Sequence, residues 1–343
     1  MEKPNRDWCD LPPEILHLIC KKLPDIYDFV VFHAICKAWR ACECNPPLQL
    51  PWILEYRIYP DDPALRFYSL SSGKILTITC IRSRKKCFIG PSYHYLVAYR
   101  HTKVGFLWSL LNPLTSDEIH LPQLEENKLY WVEWIGPDPT GSGKHIAVFS
   151  MCSMYGAPHP YSDTMILCRL EDQETSQFRL QGMNGNGSLC YNGGFFFVDR
   201  LTGVTKVTDI TTQKLVYELP PIDPDHNNWK FWLVESGGEV LLLHKMCGLD
   251  QLHFDIYRLD PGSGKGSASW VEVSGIGEQV LFVDEHRGSS FCAGDYKGLG
   301  ENCIYYLEDD LLYKYDIKDG ITESLYCPFV GRDKTWFTPC SYY

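Results

Sequence analysis

Two glycine-rich stretches are the first places where this sequence could do chemistry. Gly136-Pro137-Asp138-Pro139-Thr140-Gly141-Ser142-Gly143-Lys144 and Gly262-Ser263-Gly264-Lys265 both end in Gly-Lys, as phosphate-cradling loops do. Such a loop needs an earlier glycine, whose backbone approaches the phosphates, and a Ser or Thr after the lysine to reach a magnesium ion. In the first stretch Asp138 stands where the glycine is required and His145 where the hydroxyl is required, and the second fails likewise. Both lie between strand-like runs, without a helix N-terminus to receive phosphate, and read as hairpin loops.

The remaining reactive residues are equally unassembled. No GxSxG or HExxH is present, and the eleven histidines are scattered, with His94 and His101 lacking an acidic residue to orient them. Glu308, Asp309 and Asp310 are consecutive, so at a strand end they face different ways and read as a solvated turn. Fifteen cysteines occur at irregular spacing with no CxxC, and Cys42 and Cys44 form a CxC with no second pair beside it. All are read as free thiols in a reducing compartment, many acting as small hydrophobes in apolar runs, as at Cys20, Cys36, Cys168 and Cys303. Arg82, Arg84, Lys85 and Lys86 read as a solvated hairpin tip, and Asn186-Gly187-Ser188 as a turn. The expectation is a protein with no catalytic residues, no cofactor and no metal.

Bulk properties exclude further classes. With 43 acidic against 32 basic residues the 343-residue chain carries a formal charge of −11, which disfavours binding to nucleic acid or an anionic membrane. Aromatic content of 14% with 22% charged residues indicates a packed globular protein. No apolar run approaches the ~18 residues of a membrane span. The opening MEKPNRDWCD lacks the apolar core of a secretory signal, so a cytoplasmic or nuclear location is expected.

The most structured signal lies between Asp10 and Arg40. Asp10 can cap a helix that Pro12 and Pro13 initiate, and Ile15, Leu16, Ile19, Cys20 and Leu23 recur as a broad apolar stripe. Lys21 and Lys22 suit its last turn, and Leu23-Pro24 ends it. A second helix follows a cap at Asp25 or Asp28 and runs through Phe29, Val30, Val31, Phe32 and Ile35 to Cys36, and a third carries Trp39 and Arg40 before Asn45-Pro46-Pro47. Three helices of about ten residues cannot bury enough surface to fold alone, and their apolar positions occupy more than one face, so the surplus requires a partner surface. A helix-turn-helix DNA reader is disfavoured, because the third helix offers only Lys37 and Arg40.

Trp8, Leu11-Pro12, Glu14-Ile15-Leu16, Ile19, Leu23, Asp28, Val31-Phe32, Ile35-Cys36 and Trp39-Arg40 together resemble the F-box signature. The resemblance implies docking onto a Skp-type adaptor and, through it, a cullin. It implies that Leu11, Pro12, Ile15, Leu16, Ile19, Val31, Ile35, Cys36 and Trp39 form or support the adaptor-facing surface.

After the F-box, assigned to residues 5–47, residues 48–64 hold Pro51, Pro60 and Pro63 among Trp52, Tyr56 and Tyr59 and read as a stiff proline-rich connection. From 65 to 343 short strand-like runs take over. A strand, a turn and a second strand recur six times, in FYSLSSGKILTI, LLNPLTSDEIHL, LCRLEDQETSQFRL, VTDITTQKLVYEL, YRLDPGSGKGSASWVEV and YKYDIKDGITESL. Intervals of about 40 to 60 residues match the length of a four-stranded propeller blade. The fold class is therefore α+β multidomain, a small three-helix F-box followed by an all-β propeller of about six blades. The first unit is short of strands, and those near Glu323–Cys327 or Thr335–Phe337 would complete it and close the ring. A pair of β-sandwiches would need a break that residues 65–343 do not show.

The propeller region also resembles a family, the plant F-box proteins with a C-terminal propeller long catalogued as a domain of unknown function, a class that includes kinase-binding members. The resemblance rests on Leu111-Asn112-Pro113-Leu114-Thr115, Tyr257-Arg258-Leu259 with Trp270-Val271, Gln279 to Val283, Ser290-Phe291, Asn302 to Tyr306 and Trp336-Phe337. It implies the non-catalytic substrate-recognition subunit of a Skp–cullin–F-box ubiquitin ligase, with a protein substrate whose identity and binding residues remain unknown. The alternative it leaves open is a propeller that sequesters or inhibits a signalling protein such as a kinase, independently of ubiquitination.

Overall fold

Each of the six recurring strand–turn–strand units forms the outer antiparallel hairpin of a separate sheet. Every one of these turns carries a residue in the left-handed region: Gly73 at φ 64°, Ser116 at 63°, Gln173 at 55°, Gln213 at 59°, Gly262 at 65° and Gly320 at 67°. In four of them a five-residue loop closes by an N–H donating to the carbonyl four residues earlier, from Gly73 to Ser69, Ser116 to Asn112, Gln213 to Asp209 and Gly320 to Asp316. Side chains at the loop start fix the shape: Asn112 Oδ1 accepts from the amides of Leu114 and Thr115, Asp209 Oδ1 from Thr212, and Asp316 Oδ1 from Lys318 and Asp319. The repeat is thus a turn chemistry as much as a hydrophobic pattern.

The computed structural model describes residues 8–23, 25–55, 63–92, 94–103, 105–122, 124, 129–138, 144–152, 161–180, 183, 185–199, 202–222, 229–247, 252–262, 268–285, 287–296, 299–308, 311–329 and 334–339. Among them, six sheets form a β-propeller. From the innermost strand outward, blade II comprises Cys87–Ser92, Tyr95–Thr102, Gly105–Leu111 and Glu118–His120. Blade III is Leu129–Pro137, His145–Cys152, Tyr161–Arg169 and Glu174–Arg179, and blade IV is Gly185–Tyr191, Gly194–Asp199, Thr205–Asp209 and Leu215–Leu219. Blade V is Trp229–Ser236, Glu239–Cys247, Leu252–Asp260 and Ser269–Glu272, the four strands expected there.

Blades VI and I depart from this plan. Blade VI has five strands in the order Gly288–Cys292, Gln279–Val283, Cys303–Glu308, Leu311–Asp316 and Ile321–Leu325, with the second and third parallel. Blade I takes its innermost strand, Lys334–Phe337, from the C-terminal end of the chain and adds Trp52–Glu55, Ala64–Ser69 and Lys74–Thr79. Of the two candidate closing segments, the later one therefore completes the first blade, while residues 321–325 belong to blade VI. Asp284 secures the join: its Oδ2 accepts from Thr335 Oγ1 and from the Trp336 amide at 3.1 Å, and Trp336 Nε1 donates to the Val283 carbonyl at 2.8 Å.

The core is divided among the interfaces between blades. Six apolar clusters occupy the six junctions in turn. Because side chains alternate along a strand, one strand serves two junctions: Trp52 and Leu54 face blade II, and Ile53 faces blade VI. All three are fully buried, so the stretch read as a connection is in part a central strand. Its apolar run is continuous because neighbouring blades cover both faces, and the flanking prolines disguised it.

Three further expectations are corrected. Lys86 is not at a solvated hairpin tip but lies in the passage from blade I to blade II, 8% exposed, where its ammonium hydrogen-bonds Glu118 and Ser109. Asn186-Gly187-Ser188 lies in the inner strand of blade IV, not in a turn. Glu308 pairs with Lys245 and, at 3.1 Å, with Lys230, while Asp309 and Asp310 fall outside the described residues. The 136–144 stretch does join paired strands, with the Asp138 amide donating to the Lys144 carbonyl, while residues 139–143 and 263–267 are outside the described residues.

The N-terminal segment forms a 3-10 turn, Trp8–Asp10, and helices α1 (Pro13–Cys20), α2 (Ile26–Ala34) and α3 (Lys37–Arg40). Asp10 does not cap α1, which starts from Pro12 without a side-chain bond, since Asp10 is held in the preceding turn. Asp25 is the cap of α2, its Oδ1 accepting from the Tyr27 amide at 2.7 Å. No described helix is long and apolar enough to cross a membrane.

Candidate functional site

The three helices share a small core of Leu16, Cys20, Phe29 and Phe32, ringed by Leu11, Ile19, Leu23, Trp39, Cys42 and Cys44. The rings of Phe32 and Trp39 lie 4.6 Å apart, and Trp39 Nε1 donates to the Trp8 carbonyl at 3.0 Å, holding the 3-10 turn against α3. His33 links α2 to the chain beyond α3, with the carbonyls of Phe29 and Cys42 at 2.9 and 3.1 Å from its two ring nitrogens.

The nine residues expected at a docking surface divide by position. Pro12, Ile15, Val31 and Ile35 are exposed, Leu11, Ile19, Cys36 and Trp39 are half-buried, and Leu16 is buried as a core residue beneath them. Trp8 and Leu18 are also exposed large apolar residues and were absent from the expected set. Leu18 escaped because the stripe was traced through Ile15, Leu16, Ile19, Cys20 and Leu23, a spacing that passes over it. A part of the apolar surplus is already covered, since Ile26, Tyr27 and Val30 of α2 join the apolar cluster of blades I and II.

A second constellation lies on the same helices. Cys44 Sγ is 3.2 Å from His17 Nδ1 and 3.7 Å from Cys42 Sγ, and ligand atoms of these three residues all lie within 4.8 Å of one another. Cys20 lies in the buried cluster against which Cys42 and Cys44 pack, and burial, with the neighbouring Cys44 and Cys42 thiols adding to it, pushes its thiol up to about 12. Cys20, Cys42 and Cys44 are all free thiols. The CxC does have a second pair, His17-x-x-Cys20, which one helical turn places on the same side of α1. The spacing was legible, but nothing local indicates that the chain after α3 returns to α1.

The third site lies at the inner strands of the propeller. Glu133, on the inner strand of blade III, accepts a hydrogen bond from Ser150, and its backbone carbonyl accepts from Ser188 of blade IV. Burial pushes its carboxyl up to about 7, against the opposing Ser150 bond and Arg287 charge. Arg287 donates to the Val132 carbonyl at 2.9 Å, tying the loop before the inner strand of blade VI to blade III. Elsewhere the buried ion pairs behave oppositely: burial raises Glu118 and Glu308, but hydrogen bonds from Lys86 and Ser109 to the first, and from Lys245 and Lys230 to the second, prevail and hold both carboxyls below the usual range.

A family sequence model described as the KIB1-4 beta-propeller matches residues 67–329. F-box protein SKIP23 of Arabidopsis thaliana is 23% identical over 364 aligned residues, covering 91% of this chain and 86% of that protein. An F-box/kelch-repeat protein of the same plant is 25% identical over 324 aligned residues, covering 87% of this chain and 80% of the relative.

Proposed function

The chain belongs to the KIB1-4 β-propeller family, and because F-box proteins are similar to it along nearly its whole length, we propose that it is the substrate-recognition subunit of a Skp–cullin–F-box ubiquitin ligase. Its helices dock on a Skp-type adaptor and its propeller holds a protein substrate, so the protein acts by binding rather than by covalent chemistry. The observation that carries this reading is the set of exposed apolar side chains Trp8, Ile15, Leu18, Val31 and Ile35 on a helical segment with only four buried core residues. Surface of that kind on so small a module is the mark of an interface. Ile26, Tyr27 and Val30 set α2 into the apolar cluster of blades I and II, which supports a substrate held at a fixed distance from the adaptor.

Ile15 and Val31 are the informative positions, since they are exposed and outside the core, unlike Leu16. Ile15→Asp combined with Val31→Asp places two charges in the proposed interface. A loss of adaptor affinity of about 100-fold, roughly 2.7 kcal/mol, is expected in a titration of the purified chain against the adaptor, with an unchanged melting temperature. Adaptor binding that survives both substitutions overturns the proposal.

A further inference from the structure

We infer that His17, Cys20, Cys42 and Cys44 form a structural zinc site that clamps α1 to the chain leaving α3. Four donors of type Cys3His are the ligand set of closed tetrahedral zinc sites. In such a site sulfurs at about 2.3 Å and a nitrogen at about 2.0 Å from the metal are separated from each other by about 3.8 Å (S to S) and about 3.5 Å (S to N). The spacings here are 3.7 Å between Cys42 and Cys44 Sγ and 3.2 Å between Cys44 Sγ and His17 Nδ1, so small side-chain shifts bring these three onto one ion. Cys20, one turn from His17, belongs to the buried cluster against which Cys42 and Cys44 pack, and a rotation of its side chain toward them supplies the fourth corner, closing the coordination shell as in a structural rather than a catalytic site.

The spacing along the chain suits the purpose. His17 and Cys20 are one turn apart on α1, and Cys42 and Cys44 alternate along the extended stretch after α3, so each pair presents its donors to one side. Modules of about 40 residues commonly need a disulfide or a metal to hold their shape, and this one has four buried core residues. Binding displaces three thiol protons into solvent and leaves three thiolates and a neutral imidazole on Zn2+, so affinity rises with pH. The ion holds the base of the exposed apolar face without contributing to it.

The test uses the full-length chain purified without chelator, with zinc measured by mass spectrometry and with Co2+ titrated into chelator-treated protein. About one equivalent of zinc is expected, together with thiolate-to-cobalt charge-transfer bands and the strong visible absorption of tetrahedral cobalt. Cys42→Ser with Cys44→Ser abolishes both, whereas Cys327→Ser, in the distant blade VI region, changes neither. Should the double variant misfold, the cobalt spectrum of the unsubstituted chain still decides. A folded wild-type chain that takes up neither metal, or a double variant that keeps its zinc, overturns the inference.

Discussion

Glu133 is the residue whose ionisation reports most directly on the fold. Its carboxyl is raised by burial to about 7, from an ordinary value of 4.5, so between those pH values the folded chain holds a proton that the unfolded chain has lost. Stability from this group is complete at low pH and is lost as the pH rises through the folded value. Glu133→Gln, which keeps the shape and removes the charge, is expected to leave stability at pH ~4 almost unchanged and to raise it at pH ~8 by about 3 kcal/mol at most. Urea unfolding of both proteins at the two pH values measures this, and parallel pH profiles would refute it. The position was illegible in the sequence because neighbouring blades cover both faces of this strand, which also bulges between Val132 and Trp134, so no alternation marks Glu133 as buried beside Val132. Lys86 misled because within RSRKK it resembles its exposed neighbours, and its partners Ser109 and Glu118 lie 23 and 32 residues away.

At the scale of elements, α2 is more than a docking helix. Its apolar residues cover several faces, of which Phe29 and Phe32 serve the helical core, Val31 is exposed, and Ile26 is 2% exposed within the junction of blades I and II. Ile26→Ala should therefore destabilise the propeller itself, by about 3 kcal/mol, although it lies outside every blade. Thermal unfolding followed by a β-sheet signal is the check, and an unchanged midpoint would show that the helices are independent of the ring. The same contact bears on any attempt to study the propeller alone, since removing residues 1–47 uncovers the apolar cluster that Ile26, Tyr27 and Val30 close. Helix starts, stops and the surplus of apolar faces were readable because they depend on residues within a few turns. Which face met the propeller depends on Ile26 joining one apolar cluster with residues as distant as Trp52 and Phe337, far beyond any periodicity.

For the whole molecule the decisive feature is closure. Blade I borrows its inner strand from Lys334–Phe337, paired with Trp52–Glu55 in the register Trp52 to Phe337 through Glu55 to Lys334. Asp284 links that strand to blade VI through Thr335 and Trp336. Deleting residues 334–343 removes a strand from one blade and the partners of a buried carboxylate from another. Loss of a cooperative melting transition is expected, whereas Asp284→Ala alone, which leaves Thr335 Oγ1 and the Trp336 amide without their acceptor, should cost about 3 kcal/mol while keeping the ring. Calorimetry distinguishes the two, and a truncated chain that melts cooperatively at the wild-type temperature would show that closure is not what holds the ring.

By itself the sequence determined the repeat. Six hairpin turns could be located, because a turn with a left-handed residue and an alternating strand are local matters of backbone sterics and side-chain period. The blade total, the helices and the apolar surplus followed from the same short-range regularities. Only the tertiary structure decided which distant segments complete each other. It drew Trp52–Glu55 into a blade, reversed the order at the start of blade VI, seated Ile26 in the ring and brought His17 and Cys20 to Cys42 and Cys44. Each of these depends on the geometry of ring closure or of helix packing, and neither leaves a trace in residues that are neighbours in the chain.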